Sequence, residues 1–221
     1  MAVSRHSYRT VIGYCLIPAL AATTFGFDLG ETSGFLAMRE WLKDFGYYDQ
    51  KLETYSMKTG DITCYNGVEL GFIFIASLLA GYIGSALGRK KGLAICAVSS
   101  ITGTAIQLIP HFWAMLLGRA IMGMAIGFSG VFAVSYWSEV APVELRGLIV
   151  ILYQLFINAS QFLGACINEA TYDFTSRWAY RAPLLVSWIF PLLLLMLVWI
   201  IPESPRTSPV ALRCAAQTNI K

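Results

Sequence analysis

Long apolar stretches alternate with short polar segments along the whole chain. Six stretches approach the ~20 residues that an α-helix needs to cross about 30 Å of hydrocarbon. They cover residues 11–38, 68–87, 93–109, 112–137, 148–168 and 184–201. The pattern therefore predicts an all-α membrane protein with six transmembrane helices.

The composition agrees with a chain that lies mostly in lipid. Of the 221 residues, 57% are apolar and 13% are charged, whereas soluble domains carry about 25% charged residues. The net charge of +3 is small and dispersed, so we expect no nucleic-acid partner. The sequence shows no arrangement of nucleophile, base and metal ligands. We therefore predict that the protein is not an enzyme and has no cofactor or metal site.

The short connections favour one orientation, because basic residues concentrate on the cytoplasmic side of membrane proteins. With residues 1–10 in the cytoplasm, most of the basic residues of the short connections and of the tail at 207–221 lie on that side. Both termini are therefore expected to be cytoplasmic. The long polar segment at 39–66 is then extracellular, and its aromatic residues predict a small ordered cap in which Cys64 is a free thiol.

Four ionisable residues fall inside predicted spans, namely Asp28, Glu31, Glu69 and Arg119. Ionisable groups at such depth are costly and are functional candidates by default. If helix packing brings Asp28 into contact with Arg119, the pair is either a proton-sensitive switch or a static contact that fixes helix packing. The spacing of the residues in the sequence does not distinguish these two possibilities. Glu31 and Glu69 are close to the ends of their spans, so we expect them to be solvated or interfacial.

The fifth span carries an amide face formed by Gln154, Asn158 and Gln161, which recur at helical spacing. Such a face serves either interhelical hydrogen bonds or a polyhydroxylated ligand. At the cytoplasmic ends, charges cluster after the second, fourth and sixth spans. Opposite charges there can pair in one conformation and separate in another, whereas Lys90 and Lys91 are interpreted as topology signals.

The order of several motifs resembles the N-terminal half of a sugar porter of the major facilitator superfamily, over about residues 10–206. The motifs are FGFDLG at 25–30 with SG at 33–34, GRK at 88–90, GR at 118–119 with glycines at 123 and 127, YWSEVAP at 136–142 with RG at 146–147, YQL at 153–155, and PESPR at 202–206. The run from the Ser-Glu-x-Ala-Pro turn to Pro-Glu-Ser-Pro-Arg is the most specific part of the resemblance.

The resemblance implies a fold of two six-helix halves, each built from two inverted three-helix repeats, with substrate held between the halves. In proton-coupled sugar porters the first-span aspartate takes up the proton and the fourth-span arginine is its partner. Asp28 and Arg119 match these positions, where passive relatives commonly carry asparagine in place of the aspartate. The resemblance thus implies sugar:proton symport.

The resemblance also assigns two further groups of residues. Those at substrate-binding positions are Phe25, Gln154, Ile157 and Gln161. Those of a cytoplasmic gate, a salt-bridge network that holds the outward-facing state, are Arg89, Glu139, Arg146, Glu203 and Arg206. Amides suit sugar hydroxyls, and apolar side chains suit the faces of a sugar ring.

The sequence departs from the family pattern in two places. After the second span the family usually reads Asp-Arg-x-Gly-Arg, whereas Ser85 and Ala86 stand before Leu87, Gly88 and Arg89 here. After residue 206 the family continues into six more helices, whereas residues 207–221 form a divergent tail. The chain is therefore interpreted as a truncated porter, and the sequence does not decide whether it transports alone.

The expected partners are a monosaccharide or other small sugar, a proton and the lipid bilayer. The alternative function is that of a non-transporting sugar sensor, or of a half-transporter that pairs with a C-terminal half or with a second copy. From the resemblance, the plasma membrane is the expected location.

Overall fold

The structure, a computed structural model, describes residues 5–50, 54–140, 146–174 and 176–200, without the side chains of residues 5–16, 49, 85–86, 138–140 and 146. Its elements follow the chain as α1 (Arg5–Phe35), α2 (Arg39–Phe45), β1 (Tyr47–Asp49), β2 (Thr54–Ser56), α3 (Thr59–Leu87), α4 (Arg89–Gln107), α5 (Phe112–Val140), α6 (Arg146–Tyr172), α7 (Trp178–Ser187) and α8 (Ile189–Val198).

The long helices correspond to the six predicted spans, which confirms the fold class. Four segments of the described chain are long and apolar enough to cross a membrane: Thr59–Gly84, Phe112–Trp137, Gly147–Tyr172 and Trp178–Val198. These overlap the second, fourth, fifth and sixth predicted spans, and α1 and α4 overlap the first and third. On α3, apolar side chains at every fourth position are at least 65% exposed: Leu70, Phe74, Leu78 and Tyr82. Such a stripe is stable in hydrocarbon and costly in water.

The sixth span was predicted as one helix over 184–201, but the structure divides it at Trp188 into α7 and α8. Pro191 has no amide N–H to donate to the carbonyl of Ser187, four residues earlier, and its ring crowds that carbonyl. Trp188 accordingly donates to Leu185 in a tighter turn. Hydropathy averaged over a span does not reveal this break.

Two pairs of helices pack at close range through glycine. On α1, a Cβ at Gly26 would lie 2.1 Å from the carbonyl oxygen of Ile157 in α6, and one at Gly30 would lie 2.3 Å from that of Gln161. On α5, Gly123 and Gly127 meet the backbone of α3 in the same manner. The first span thus packs on the fifth in the same way as the fourth packs on the second. This is the pattern expected if the first three spans and the last three are inverted repeats of each other.

A single residue connects α3 to α4. Gly88 has φ 85°, a left-handed conformation that costs side-chain-bearing residues energy. Its amide donates to the carbonyl of Gly84 and so ends α3. The turn therefore places Arg89 directly at the start of α4.

The segment after α1 forms a small cap, made of α2 with the antiparallel pair β1 and β2. Trp41 and Phe45 of α2 are buried, whereas Tyr47 and Tyr48 are exposed. Tyr48 faces Tyr55 across the two strands, with ring centroids 5.3 Å apart. Because α3 begins at Thr59, the last part of the predicted loop at 39–66 is helical. Cys64 therefore lies on α3, where it is exposed and free.

Candidate functional site

Helix packing brings Asp28 of α1 and Arg119 of α5 into direct contact, although 91 residues separate them in the chain. Arg119 Nη1 donates to both carboxylate oxygens of Asp28, at 3.0 and 3.1 Å. The side chains are 1% and 0% exposed, respectively. A charge in such surroundings is stable only with a partner of opposite charge and with hydrogen bonds.

Helix α3 contributes two more side chains to this pair. The same Arg119 Nη1 donates to Glu69 Oε2 at 3.2 Å, and Nη2 donates to the hydroxyl of Tyr65. Tyr65 and Glu69 are four residues apart and therefore lie on one face of α3. One guanidinium thus joins helices α1, α3 and α5.

The expectation that Glu31 and Glu69 are solvated or interfacial is wrong. Glu31 is 1% exposed and Glu69 is 7% exposed. Glu69 is buried because α3 begins at Thr59, well before the predicted span, so Glu69 lies inside the helix and not at its end. Glu31 follows Asp28 by about one turn of α1, where α1 packs against its neighbours. We refer to Asp28, Glu31, Tyr65, Glu69 and Arg119 together as the buried cluster.

The cap covers one side of the buried cluster with aromatic rings. Trp41, which is 2% exposed, meets the Tyr65 ring edge-on with centroids 5.6 Å apart. Phe35 stacks on Trp41, and Phe45 meets Tyr180 of α7. These rings separate the Tyr65 hydroxyl and Arg119 from solvent, so the electrostatic interactions inside are only weakly screened.

A second ionic contact attaches the cap to α7. Arg177 donates to both oxygens of Asp44, from Nε at 3.1 Å and from Nη2 at 3.3 Å. The hydroxyl of Tyr180 donates to Asp44 Oδ2 at 2.9 Å. The Arg177 side chain is 56% exposed. We refer to Asp44, Arg177 and Tyr180 as the surface cluster.

The amide face of α6 is accessible. Gln154, Asn158 and Gln161 are all exposed, and Asn158 Nδ2 donates to the carbonyl of Gln154 within the same helix at 2.9 Å. Exposed amides retain hydrogen-bonding capacity for a ligand or for another helix. The structure therefore leaves both interpretations of this face available.

The other two predicted substrate-binding residues are less exposed than these amides. Ile157 is 6% exposed, and its carbonyl oxygen lies against Gly26 in the α1–α6 contact. Phe25 is half-buried and lines a small cavity between α1, α4, α5 and α8, with Thr24, Ser100 and Ser129 among the polar neighbours. Phe25 and Ile157 are thus less exposed than the amides of Gln154 and Gln161.

Of the predicted gate, the structure describes one side chain. Arg89 Nη1 donates to the carbonyl of Gly84 at 2.9 Å and so contacts the end of α3. The side chains of Glu139 and Arg146, and the residues Glu203 and Arg206, lie outside the described part of the chain. Nearby, Lys90 Nζ donates to the carbonyl of Trp199 at 3.0 Å and satisfies an acceptor beyond α8.

Sequence reasoning missed two polar residues that position the site. Tyr65 was assigned to the loop, although its spacing of four from Glu69 was a usable signal. Asn168 marked only the end of the fifth span, yet its Nδ2 donates to the carbonyls of Gly30 and Glu31, at 3.0 and 2.9 Å. This amide fixes the segment of α1 that carries Asp28 and Glu31 against α6.

Comparison with known proteins finds one family along most of the chain. The family of sugar (and other) transporters matches residues 14–207. The low-affinity glucose transporter HXT3 of Saccharomyces cerevisiae is 35% identical over 206 residues, which cover 90% of this chain and 35% of that protein. The galactose transporter of the same yeast is 34% identical over 203 residues, with the same two coverages. The chain therefore spans about a third of the length of the curated relatives that it matches.

Solved structures share the fold. The proton:xylose symporter XylE bound to 6-bromo-6-deoxy-D-glucose superposes with a TM-score of 0.79 at 23% identity, over 92% of this chain and 46% of that one. The inward-open conformation of XylE from E. coli gives a TM-score of 0.70 at 22% identity, over 89% and 49% of the two chains. The six helices therefore have the arrangement of one half of the major facilitator fold.

Proposed function

This chain belongs to the family of sugar (and other) transporters, and we propose that it forms one wall of a path for proton-coupled sugar symport. The observation that carries the proposal is the fully buried contact between Asp28 and Arg119. Asp28 is the only partner that α1 gives to Arg119 among the described contacts, so its charge directly affects how α1 and α5 hold together. A proton on that carboxylate is the smallest change that alters this contact.

The proposed proton step begins with Asp28 ionised and paired. A proton that arrives from solvent binds a carboxylate oxygen of Asp28 and makes the side chain neutral, which removes its Coulomb attraction to Arg119. Arg119 still donates to Glu69, so the guanidinium keeps a charged partner while Asp28 separates from it. Helix α1 is then free to move relative to α5 without leaving an isolated cation.

The proposed sugar contacts are the exposed amides of Gln154 and Gln161 on α6. The backbone of Gly30 packs against the carbonyl of Gln161, and Gly30 follows Asp28 by two residues. Gln161 therefore lies at about the same depth as Asp28, which is the arrangement needed if sugar and proton affect each other. The named relatives transport glucose and galactose, which favours a hexose. Phe25 and Ile157 stay predictions.

Alternating access in this fold is the movement of one six-helix half against another. The proposed transport unit therefore contains this chain with a second half, which faces the amides of α6. The proposal places the unit in the plasma membrane with the N-terminus in the cytoplasm, and the gate residues Arg89, Glu139, Arg146, Glu203 and Arg206 on the cytoplasmic side.

Uptake of labelled glucose into proteoliposomes tests the proposal. We expect an inward proton gradient to drive accumulation by vesicles in which two copies of the chain supply the two halves, and Asp28→Asn to abolish the response to the gradient. Glu169→Gln is the matched control, because Glu169 is exposed on α6 and its substitution should leave uptake unchanged.

Two outcomes would count against the proposal. Uptake no greater than in empty vesicles would exclude transport by this chain alone and leave the sensor or paired half as the alternative. Cross-linking in mild detergent would then separate these, because a paired half runs above the 24.4 kDa monomer. Gradient-driven uptake that survives in Asp28→Asn would remove Asp28 from the proton step.

A further inference from the structure

The charges of the buried cluster do not balance. It contains three carboxyl groups, from Asp28, Glu31 and Glu69, and one guanidinium, from Arg119. If all four groups were ionised, the cluster would carry two uncompensated negative charges out of contact with water. Burial of an unpaired carboxylate is so unfavourable that the group takes up a proton instead.

Arg119 donates to Asp28, Glu69 and Tyr65 but not to Glu31, although its Nε has no hydrogen-bond partner among the described residues. Its Nη1 already donates to Asp28 and Glu69, and its Nη2 donates to Tyr65. Among the described residues, the charged groups that act on Glu31 are Asp28 of the same helix, Glu69 of α3 and Arg119 of α5. Two of these three are negative, and the single positive group is shared with both.

One carboxylate oxygen of Glu31 is buried without a hydrogen-bond donor. Its side chain is 99% buried, and Oε2 accepts no hydrogen bond from any residue that the structure describes. The neighbouring amide of Asn168 does not help, because it donates to the backbone carbonyls of Gly30 and Glu31 and not to the carboxyl group. A carboxylate here would have no cation of its own, and its Oε2 would have no donor.

We propose that Glu31 is a second proton-binding site, which holds a proton while Asp28 and Glu69 share Arg119. The proton comes from solvent and bonds to a carboxylate oxygen of Glu31, which converts the buried group to a neutral acid. The protonation of Glu31 does not depend on the proposed function, but its role in transport does. When Asp28 is also protonated, the cluster carries two protons while α1 moves relative to α5.

A proton fits this position better than a metal cation does. Arg119 already holds one positive charge within the cluster, so a second full cation would meet repulsion, whereas a protonated carboxyl adds no net charge. Of the oxygens of the three carboxylates, Glu31 Oε2 and Glu69 Oε1 are the two that are buried without a hydrogen-bond partner among the described residues, because both oxygens of Asp28 accept from the arginine. Two oxygens are far fewer than the about six to eight that surround a bound calcium ion.

Infrared spectroscopy of the full chain in lipid vesicles tests the proposal without any sugar. A protonated carboxyl group has a carbonyl stretching band that ionised carboxylates lack and that shifts in D₂O. We expect this band in the wild-type chain at neutral pH, its loss in Glu31→Gln, and its survival in Asp28→Asn, Glu69→Gln and the exposed control Glu169→Gln. Glutamine has the shape and charge of the protonated acid, so Glu31→Gln should also unfold at the wild-type temperature.

Several results would overturn the inference. These are the absence of the band in the wild-type chain, its loss in Glu69→Gln but not in Glu31→Gln, and a Glu31→Gln chain that does not fold. A band that disappears when sodium replaces choline in the buffer would show that a metal cation displaces the proton. A chain that shows the band but transports nothing would contradict the proposed function alone.

Discussion

The buried and surface clusters each contain an arginine, an aspartate and a tyrosine, but in different surroundings. Arg119 bonds to Asp28 and Tyr65 inside the bundle, and Arg177 bonds to Asp44 near Tyr180 where the cap meets α7. The shortest nitrogen–oxygen distances are 3.0 and 3.1 Å, respectively. Contact geometry therefore does not distinguish the two clusters.

Exposure does distinguish them. The Arg119 side chain is 0% exposed, and the Arg177 side chain is 56% exposed. Water around Arg177 solvates either charge when the pair separates, so neither group is left isolated. Inside the bundle no water is available to do this, and separation leaves charges that only another protein group or a proton can neutralise. The surface contact therefore only holds the cap against α7, whereas the buried contact also changes when a proton binds.

The largest effect is expected from Arg119→Gln, which leaves Asp28 and Glu69 buried without their cation. Loss of one partner of a buried ion pair costs about 3–5 kcal/mol of stability. The matched change Arg177→Gln should cost only about 0–1 kcal/mol, because Asp44 stays partly hydrated. Unfolding of both variants in the same detergent, followed by circular dichroism, measures the difference. Equal losses would mean that burial does not separate the two clusters.

The sequence predicted the contact between Asp28 and Arg119 better than it predicted their surroundings. The rarity of intramembrane charges singled out four residues, and the resemblance to sugar porters then implied that the first-span aspartate and the fourth-span arginine are partners. Glu69 looked terminal because the predicted span began at residue 68, whereas polar residues such as Thr59 and Asp61 continue α3 beyond the apolar stretch. Helix ends outside the membrane do not require apolar residues, so hydropathy alone does not define them.

The burial of Glu31 was unpredictable for a different reason. It depends on how α1 packs against distant segments of the chain, such as α6, whose Asn168 donates to the Glu31 carbonyl. The amide face of α6 was visible from helical spacing, since that depends on one helix only. The positions of Phe25 and Ile157 were not visible from spacing, because they depend on which side of α1 packs against α6. Local periodicity therefore predicted the helices and the polar or apolar face of each, but not which helix faces pack against each other.

A smaller effect is expected from Tyr65→Phe, which removes the acceptor of Arg119 Nη2 and keeps the ring that packs on Trp41. A buried charged donor without an acceptor costs about 1–3 kcal/mol. Tyr180→Phe is the matched control: it removes a hydroxyl from Asp44, which keeps Arg177 as its partner. Chemical denaturation in lipid nanodiscs compares the two variants. A larger loss for Tyr180→Phe would contradict the ranking of the clusters.

The smallest effect is expected from Asp44→Asn, and its dependence on salt is the informative part. The substitution removes one charge from a pair whose arginine is 56% exposed, so it should cost about 0–1 kcal/mol in dilute buffer. In about 1 M salt, where the screening length falls to about 3 Å, that cost should disappear. The cost of Arg119→Gln should be the same at both salt concentrations, because ions do not enter the bundle. Unfolding temperatures of the two variants and the wild type, measured at low and high salt, give the four differences needed. If salt weakened the effect of Arg119→Gln as much as that of Asp44→Asn, solvent would have to reach the buried cluster, and Asp28 and Glu31 would exchange protons freely in every conformation.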